Sequence, residues 1–280
     1  MMRGRVLVIA GSDSGGGAGI QADIKTITAL AAFASTAITA LTAQNTLGVH
    51  DVMAVPPGFI RRQIEVVLTD IGADVIKIGM LGDVATTNSV ADALADFAPN
   101  VPVVLDPVMV AKGGHTLLAA EAVECLRRRL LPLAAVITPN LPEAEALTGM
   151  TIRTEVDMRT AAAALLAIGA PAVLLKGGHL DSDMVVDLLV THGGVEAFAA
   201  PRIVTRHTHG TGCTTASAIA AGLAQGLGLR DAVIRARLYV RAAISGAPGL
   251  GQGHGPLDHS VTVDLSFGRL HFPGRDGLAG

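Results

Sequence analysis

Short apolar runs rich in β-branched residues alternate along the chain with segments whose apolar positions recur at helical spacing. The runs predict strands over residues 6–9, 37–42, 51–55, 75–78, 103–105, 135–137, 172–175, 184–190 and 195–198. Helical spacing predicts helices near residues 24–31, 60–71, 90–97, 216–223 and 230–247, with Leu238 on the buried side of the last one. Such alternation is typical of a mostly parallel sheet with helices on both faces, here ending in an antiparallel pair around residues 192–194.

Polar side chains follow successive predicted strands. Asp106 comes directly after one strand, Asn140 and Glu143 follow the next, and Lys176 closes a third. The carboxyl ends of parallel strands share one edge of the sheet, where α/β proteins bind their ligands. We therefore expect these residues to converge on one site.

Two glycine-rich segments each precede a predicted helix. In residues 206–223, Gly210 and Gly212 let the backbone approach a ligand, and the helix start aims unpaired N–H groups at whatever lies over Thr211 to Thr214. This predicts an anion site, most plausibly for phosphate, although a tight helix entry alone would explain the same glycines. Residues 11–19 match neither a P-loop nor a dinucleotide fingerprint, so they bind another ligand or form only a turn.

The amino-acid composition of the chain excludes several classes of function. With a net charge of -3, six Phe, one Tyr and no Trp, the chain has neither the basic surface nor the stacking residues of a nucleic-acid-binding protein. The apolar runs are too short for a signal peptide or a membrane span, and two cysteines without a disulfide pattern suit the cytoplasm. We expect one domain over residues 1–280, with a loosely ordered tail from about 265.

Phosphoryl transfer is the chemistry that these parts suit, because it demands positioning and charge neutralisation more than covalent work. Asp106 and Glu143 are candidate Mg²⁺ ligands, and Lys176 could offset phosphate charge. Glu143 has an alternative, since an acidic residue at a helix start is stabilised by the helix dipole anyway. The nine histidines show no ligand pattern beyond His207-x-His209 and do not predict a metal site.

Six ordered motifs carry a family resemblance. They are GSDSGGGAGIQAD (11–23), ITALTAQNT (38–46), DPVMVA (106–111), TPNLPEAE (138–145), LKGGH (175–179) and THGTGC (208–213). Together they resemble the bacterial hydroxymethylpyrimidine/phosphomethylpyrimidine kinases of the ribokinase-like superfamily, from about residue 5 to about residue 259. The resemblance implies a three-layer fold, a homodimer, and ATP-dependent phosphorylation of 4-amino-5-hydroxymethyl-2-methylpyrimidine and then of its monophosphate.

The resemblance also implies roles for individual residues. Gln44 would hydrogen-bond the pyrimidine, since its amide offers both a donor and an acceptor. The other implied substrate contacts are Gly11, Asp23, the backbone of Val108 and the apolar wall of Met80. The nucleotide would be bound by Asn140, Glu143, Lys176 and Thr211, and the implied catalytic residues are Cys213, Lys176, Gly210 and Gly212.

Cys213 stands where the superfamily usually has an aspartate base, at the end of Gly-x-Gly-Asp. A helix N-terminus lowers the pKa of a thiol, so Cys213 is either a thiolate base or a wall of the pocket.

Three other functions compete with the pyrimidine kinase. A pyridoxal kinase of the same fold would phosphorylate a similar hydroxymethyl group, although Gln44 and Met80 favour the pyrimidine. A non-catalytic binding protein predicts the loss of Asp106, Glu143 or Lys176, and all three are present. A nicotinamide oxidoreductase would need the missing dinucleotide fingerprint.

Overall fold

The computed structural model describes residues 4–109 and 120–263, and its nine strands form one sheet. The strands are β1 (Arg5–Asp13), β2 (Phe33–Asn45), β3 (Gly48–Ala54), β4 (Val75–Ile78), β5 (Val103–Leu105), β6 (Ala134–Ile137), β7 (Ala172–Leu175), β8 (Met184–Thr191) and β9 (Gly194–Pro201). Their order is β3-β2-β1-β4-β5-β6-β7-β8-β9. The predicted tail near 265–280 and the last two residues of the DPVMVA motif lie outside the described residues.

The six central strands, β2, β1, β4, β5, β6 and β7, are parallel, and antiparallel strands flank them at both edges. The predicted sheet type and the final antiparallel pair are thereby confirmed. Because β1 pairs with β2 on one side and β4 on the other, the chain reverses its direction of travel across the sheet at β1. Ligands of open α/β sheets bind at the carboxyl end of such a switch point.

Eight helices are described, and they are α1 (Gly19–Ala29), α2 (Pro57–Asp70), α3 (Val84–Phe97), α4 (Ala120–Arg129), α5 (Leu141–Thr148), α6 (Glu155–Ala167), α7 (Thr211–Ala224) and α8 (Leu229–Ser245). Helices α2 to α6 contribute to one core and α1, α7 and α8 to the other. Successive side chains of a strand point to opposite faces of the sheet, so one strand contributes to both cores. In β1, Leu7 and Ile9 belong to the first core, while Val6 and Val8 belong to the second. Among the described residues, no helix is long and apolar enough to cross a membrane.

The apolar pattern missed some elements. Helix α4 carries too few apolar positions for a clear stripe, and α6 lies partly inside the long apolar run that begins at Ala161. A capping box of Thr154 and Asp157 marks the start of α6 and is the signal that could have revealed it. Leu238 was wrongly placed on the buried side of α8, because it is 67% exposed while Val233 and Val240 face the core.

A buried ion pair ties the sheet to the second helix layer. Lys77 is the third residue of β4, so its side chain leaves the sheet on the side of α1 and α7. Its Nζ donates to Oδ2 of Asp23 at 2.9 Å, and both side chains are fully buried. Ser217 of α7 donates to Oδ1 of the same carboxylate at 2.6 Å. Sheet, α1 and α7 therefore share one charge cluster.

We expect Lys77→Met to lower the free energy of unfolding by about 3–5 kcal/mol, because it leaves the Asp23 carboxylate buried without its counter-ion. The double variant Lys77→Met/Asp23→Leu should recover much of this loss, since no buried charge remains unpaired. Urea unfolding measures both. Asp96→Ala is the control, because it breaks the exposed pair with Arg61 and should change stability little. Equal destabilisation by the single and double variants would contradict the account.

Candidate active site

A cavity of about 380 Å³ opens at the carboxyl ends of the parallel strands, where the N-terminus of α7 meets them. The predicted site residues that line it come from seven segments of the chain. They are Gly11, Gln44, Met80, Asp106, Val108, Asn140, Glu143, Lys176, Gly210, Thr211, Gly212 and Cys213. The structure therefore brings the predicted strand-end residues and the glycine-rich turn to a common cavity.

The placement of Asp23 is corrected. It does not line the cavity, and no part of it is exposed. Its two carboxylate oxygens are occupied by Lys77 and Ser217, so it cannot contact a substrate directly. Its partner Lys77 does line the cavity and was missed. The sequence feature that could have identified Lys77 is its position inside an otherwise apolar four-residue strand, because a buried lysine needs a partner.

The start of α7 forms because two glycine-rich segments touch. Gly210 has φ +83°, and a Cβ there would lie 1.8 Å from the carbonyl oxygen of Gly17. A side chain at Gly212 would lie 3.2 Å from Nζ of Lys176, so this backbone approaches the ammonium closely. In the first turn the N–H of Thr211 donates to the carbonyl oxygen of Thr208 at 3.4 Å, and those of Gly212 and Cys213 have no backbone acceptor among the described hydrogen bonds. These two N–H groups open toward a cation, an arrangement suited to a phosphate.

Asp106 and Lys176 form the polar centre of the cavity. Asp106 accepts hydrogen bonds from Lys176 Nζ at 3.1 Å and from Thr138 Oγ1 at 3.0 Å. Burial lowers the pKa of Lys176, but the charges of Asp106 and Glu143 outweigh it and raise the pKa above its usual value. Lys176 is therefore a permanent cation beside the start of α7.

The backbone after Lys176 is fixed from behind. Gly177 donates its N–H to Oδ1 of Asp187 at 3.0 Å. Oδ2 of the same carboxylate accepts from Nε of Arg237 at 2.8 Å. Both side chains are largely buried, so Arg237 of α8 is engaged in holding the end of β7.

The structure confirms that Glu143 stabilises a helix start, and its role as a metal ligand stays a prediction. Its carboxylate accepts from the backbone of Asn140 at 2.7 Å, and the Asn140 side chain accepts from the backbone of Glu143, which is a complete capping box at the start of α5. It also lines the cavity. Burial raises the pKa of Glu143 to about 7, with the charge of Lys176 opposing and that of Asp106 adding to the rise.

The expected low pKa of Cys213 is wrong for this cavity. Burial raises the pKa of the thiol to about 12; the Lys77 ammonium opposes the rise, while the carboxylates of Asp23 and Asp106 add to it. Desolvation of the thiolate is the largest cause of the shift, and a backbone hydrogen bond from Gly19 is a smaller opposing one. With this pKa the Cys213 thiol is protonated at neutral pH.

Asp13 and His209 were also missed. Asp13 accepts three backbone N–H groups of the first glycine-rich segment and the ring Nε2 of His209 at 2.9 Å. The first segment is therefore an ordered turn around a carboxylate. An aspartate just before a run of glycines is the sequence signal for such a turn.

Comparison with known proteins identifies similar sequences. The family model for phosphomethylpyrimidine kinase matches residues 13–258. A hydroxymethylpyrimidine/phosphomethylpyrimidine kinase of Haemophilus influenzae is 51% identical over 91% of this chain and 96% of its own. A thiamine biosynthesis bifunctional protein of Geobacter sulfurreducens is 52% identical over 94% of this chain, which spans only 53% of that longer relative.

Solved structures of similar fold also include kinases of this kind. An ADP complex of Bacillus subtilis pyridoxal kinase has a TM-score of 0.86 and 39% identity, covering 92% of this chain and 98% of that one. A phosphomethylpyrimidine kinase of Clostridium difficile has a TM-score of 0.76 and 42% identity, covering 86% and 99%. The ribokinase-like three-layer fold expected from the sequence is confirmed.

We expect no ionisation of Cys213 in the ligand-free protein below about pH 10, because its buried thiol has a pKa of about 12. The measurement is a pH titration of thiolate absorbance in the wild type and in Cys213→Ser, whose difference isolates this residue from Cys125. A step near neutral pH that disappears in Cys213→Ser would contradict the assignment. Repeating the titration with ADP bound shows whether nucleotide lowers the pKa.

Proposed function

The chain belongs to the phosphomethylpyrimidine kinase family, and we propose that it uses ATP to phosphorylate 4-amino-5-hydroxymethyl-2-methylpyrimidine and then its monophosphate. It is a kinase, hence a transferase, of thiamine biosynthesis. The non-catalytic alternative finds no support, since the similar proteins are kinases and Asp106, Glu143 and Lys176 all line the cavity.

One observation supports this assignment most directly. The five-residue turn from His209 to Cys213 has Gln44 at one end, 3.1 Å from the His209 ring, and the Lys176 ammonium at the other, beside Gly212. A group that recognises a heterocycle and a group that neutralises phosphate are thus joined by a turn in which the N–H groups of Gly210, Gly212 and Cys213 have no backbone acceptor among the described hydrogen bonds. A hydroxymethyl group and a terminal phosphate could meet over that turn.

The proposed step moves the γ-phosphoryl group in line. A bond forms between the hydroxymethyl oxygen and the γ-phosphorus, the bond from that phosphorus to the bridging oxygen breaks, ADP leaves, and the hydroxyl proton is released. In the second step an oxygen of the monophosphate is the attacking atom. The first-turn amides of α7 and Lys176 stabilise the charge on the transferring oxygens, which is the main demand of this reaction. Asn140, Glu143 and Thr211 complete the proposed nucleotide side, and Gly11, Met80 and Val108 the pyrimidine side.

Asp106 and Glu143 fit a magnesium ion carried with ATP. The charge of Asp106 adds to the rise in the pKa of Glu143, so the two carboxylates interact, and a divalent cation bound by both would offset their repulsion. No group of three histidine, cysteine or acidic side chains able to hold a metal occurs in the part of the chain that the structure describes. Two carboxylates suffice for Mg²⁺, which keeps several waters and phosphate oxygens as ligands. When bound, the ion would neutralise charge on the β- and γ-phosphates.

Cys213 lies nearest the hydroxymethyl oxygen in this proposal, and two roles remain for it. A wall of the pocket needs no ionisation and agrees with the protonated thiol. A base needs ligand binding to bring the pKa from about 12 to near neutrality. The titration with bound ADP distinguishes the two roles.

Pyridoxal phosphorylation is the second candidate. It is favoured by the similarity to Bacillus subtilis pyridoxal kinase over 92% of this chain. Pyridoxal also presents a hydroxymethyl group on a nitrogen heterocycle. It lacks the amino group of the pyrimidine, so we assign it as the poorer substrate.

We further propose that residues 1–280 form one kinase domain, supported by the single sheet, and that the enzyme works in the cytoplasm, supported by its two free cysteines.

The assembly that we propose is a homodimer. Edge strand β3 and its partner β2 carry an exposed apolar patch that consists of Leu41 and Met53. Leu41 and Met53 are cross-strand partners, so the patch is continuous. A second copy of this chain would cover both the patch and the open strand edge.

Phosphorus NMR with Mg-ATP and the hydroxymethylpyrimidine should show a monophosphate that appears first and a pyrophosphate that follows it. Pyridoxal should be converted at a lower kcat/KM. Asp106→Asn is the control against a contaminating kinase and should lose at least about 100-fold in kcat, because charge on the transferring group is left poorly balanced. Absence of both products would contradict the proposed function, and preference for pyridoxal would reverse the substrate assignment.

Met53→Asp should convert the dimer to a monomer, since a desolvated carboxylate would face its copy across the patch. Light scattering during size-exclusion chromatography measures the mass. Leu238→Asp is the matched control, because Leu238 is also exposed but lies on α8 away from the patch. A wild-type protein that is monomeric at micromolar concentration would refute the dimer.

A further inference from the structure

Three side chains from separate segments meet beside the cavity: Asp13 at the end of β1, Gln44 in β2 and His209 before α7. We propose that Asp13 and His209 form a positioning pair that fixes which way the Gln44 amide faces, and thereby selects ligands by the order of donor and acceptor on their ring edge. The inference rests on the proposed function, since it gives that pyrimidine site its selectivity.

Asp13 is restricted to accepting hydrogen bonds. Its Oδ1 accepts from Gly15 N at 2.8 Å, and its Oδ2 accepts from Gly17 N at 3.0 Å and Ala18 N at 2.8 Å. Burial raises the pKa of Asp13, but the hydrogen bonds from His209 and these amides outweigh it and lower the pKa. The carboxylate is ionised, so the ring nitrogen 2.9 Å from Oδ2 must carry a proton. His209 is thereby held with hydrogen on Nε2.

Packing holds the ring in this position. A Cβ at Gly17 would lie 2.5 Å from Cδ2 of His209, so the absence of a side chain at Gly17 makes room for the imidazole. His209 itself is buried, and its backbone N–H donates to Gly255 at 3.2 Å. The Nε2–H bond of His209 therefore has a fixed direction, toward Oδ2 of Asp13 and the Gln44 amide.

That proton decides the orientation of the Gln44 amide. With Nε2 of Gln44 placed 3.1 Å from Nε2 of His209, two donors face each other. The other end of the amide faces Thr42 Oγ1 at 3.3 Å, whose own proton is donated to the Ser12 carbonyl at 2.8 Å. If the Gln44 amide is rotated by a half-turn, its contacts with His209 and with Thr42 each pair one donor with one acceptor. The amide oxygen then shares the Nε2 proton of His209 with Oδ2 of Asp13 in a three-centre hydrogen bond, and the amide nitrogen donates to Oγ1 of Thr42.

The fixed amide still has one lone pair and one N–H for a ligand, in a set order. A 4-aminopyrimidine edge offers a ring nitrogen that accepts and an amino group that donates, and it satisfies both. The 4-oxo analogue, 5-hydroxymethyl-2-methylpyrimidin-4-one, offers the reverse order, a ring N–H and a carbonyl oxygen. It would be bound equally well only if the amide turned over, which breaks the contacts with His209 and Thr42.

The experiment compares dissociation constants of the 4-amino and 4-oxo pyrimidines by isothermal titration calorimetry. The wild type should prefer the amino compound by about 100-fold or more, because a mismatched edge leaves buried polar groups unpaired. In His209→Leu the amide can turn over, so we expect the preference to fall by about tenfold or more, chiefly through tighter binding of the oxo compound. His209→Gln supplies an N–H in place of the imidazole and should restore much of the preference.

The matched control is His207→Leu, which changes a neighbouring histidine of the same turn that makes no contact with Gln44 among the described hydrogen bonds. Its preference should equal that of the wild type. Circular dichroism melting checks that each variant is folded. Equal weakening of both compounds in His209→Leu, with an unchanged ratio, would overturn the positioning role.

A second readout does not depend on ligands. Nitrogen-15 NMR of histidine-labelled protein, with the His209 signal assigned by its loss in His209→Leu, should show hydrogen on Nε2. Hydrogen on Nδ1 alone would overturn the proposal even if turnover is normal. If the wild type binds neither pyrimidine, the proposed function fails, while the NMR result still reports on the Asp13 and His209 pair.

Discussion

The site depends on a contact between two backbone segments that lie too close together to leave room for a side chain. Gly210 lies against the carbonyl oxygen of Gly17, where a Cβ would be only 1.8 Å away, and it adopts φ +83° to do so. This contact brings the entry of α7 onto the first glycine-rich turn. It also sets His209 beside Asp13 and opens the first-turn amides toward Lys176. Moving either backbone outward would separate the Gln44 end of the cavity from the Lys176 end.

Charge is the second constraint, because the cavity edge holds several ionisable groups out of water. Lys77 is paired with Asp23, and Lys176 with Asp106, both within 3.1 Å. Such pairs are retained at a cost in desolvation, so they are weak evidence for stability and better evidence for a role in the site. Cys213 and Glu143 show the consequence, since both have pKa values raised by burial among these charges.

The positions of the site residues were largely predictable, because strand ends in a parallel sheet share an edge. Asp106, Asn140, Glu143 and Lys176 were expected to meet for that reason, and all four line the cavity. Asp23 was misplaced because its motif gives proximity to the site but not the direction of its side chain on α1. Lys77, Asp13 and His209 were overlooked since each works through a partner far away in sequence; Asp13 and His209 are 196 positions apart.

The sequence by itself determined the type of sheet, most strand positions, the glycine-rich helix entry and the family, because these depend on local periodicity and on short motifs. The tertiary structure alone decided the partners and protonation of the buried groups. A helix start that would lower a thiol pKa in isolation holds a Cys213 thiol with a pKa of about 12. The reason is that desolvation and the summed field of neighbouring charges come from residues brought together only by folding. The same holds for Gln44, whose amide orientation follows from a proton on a histidine that another strand's carboxylate keeps in place.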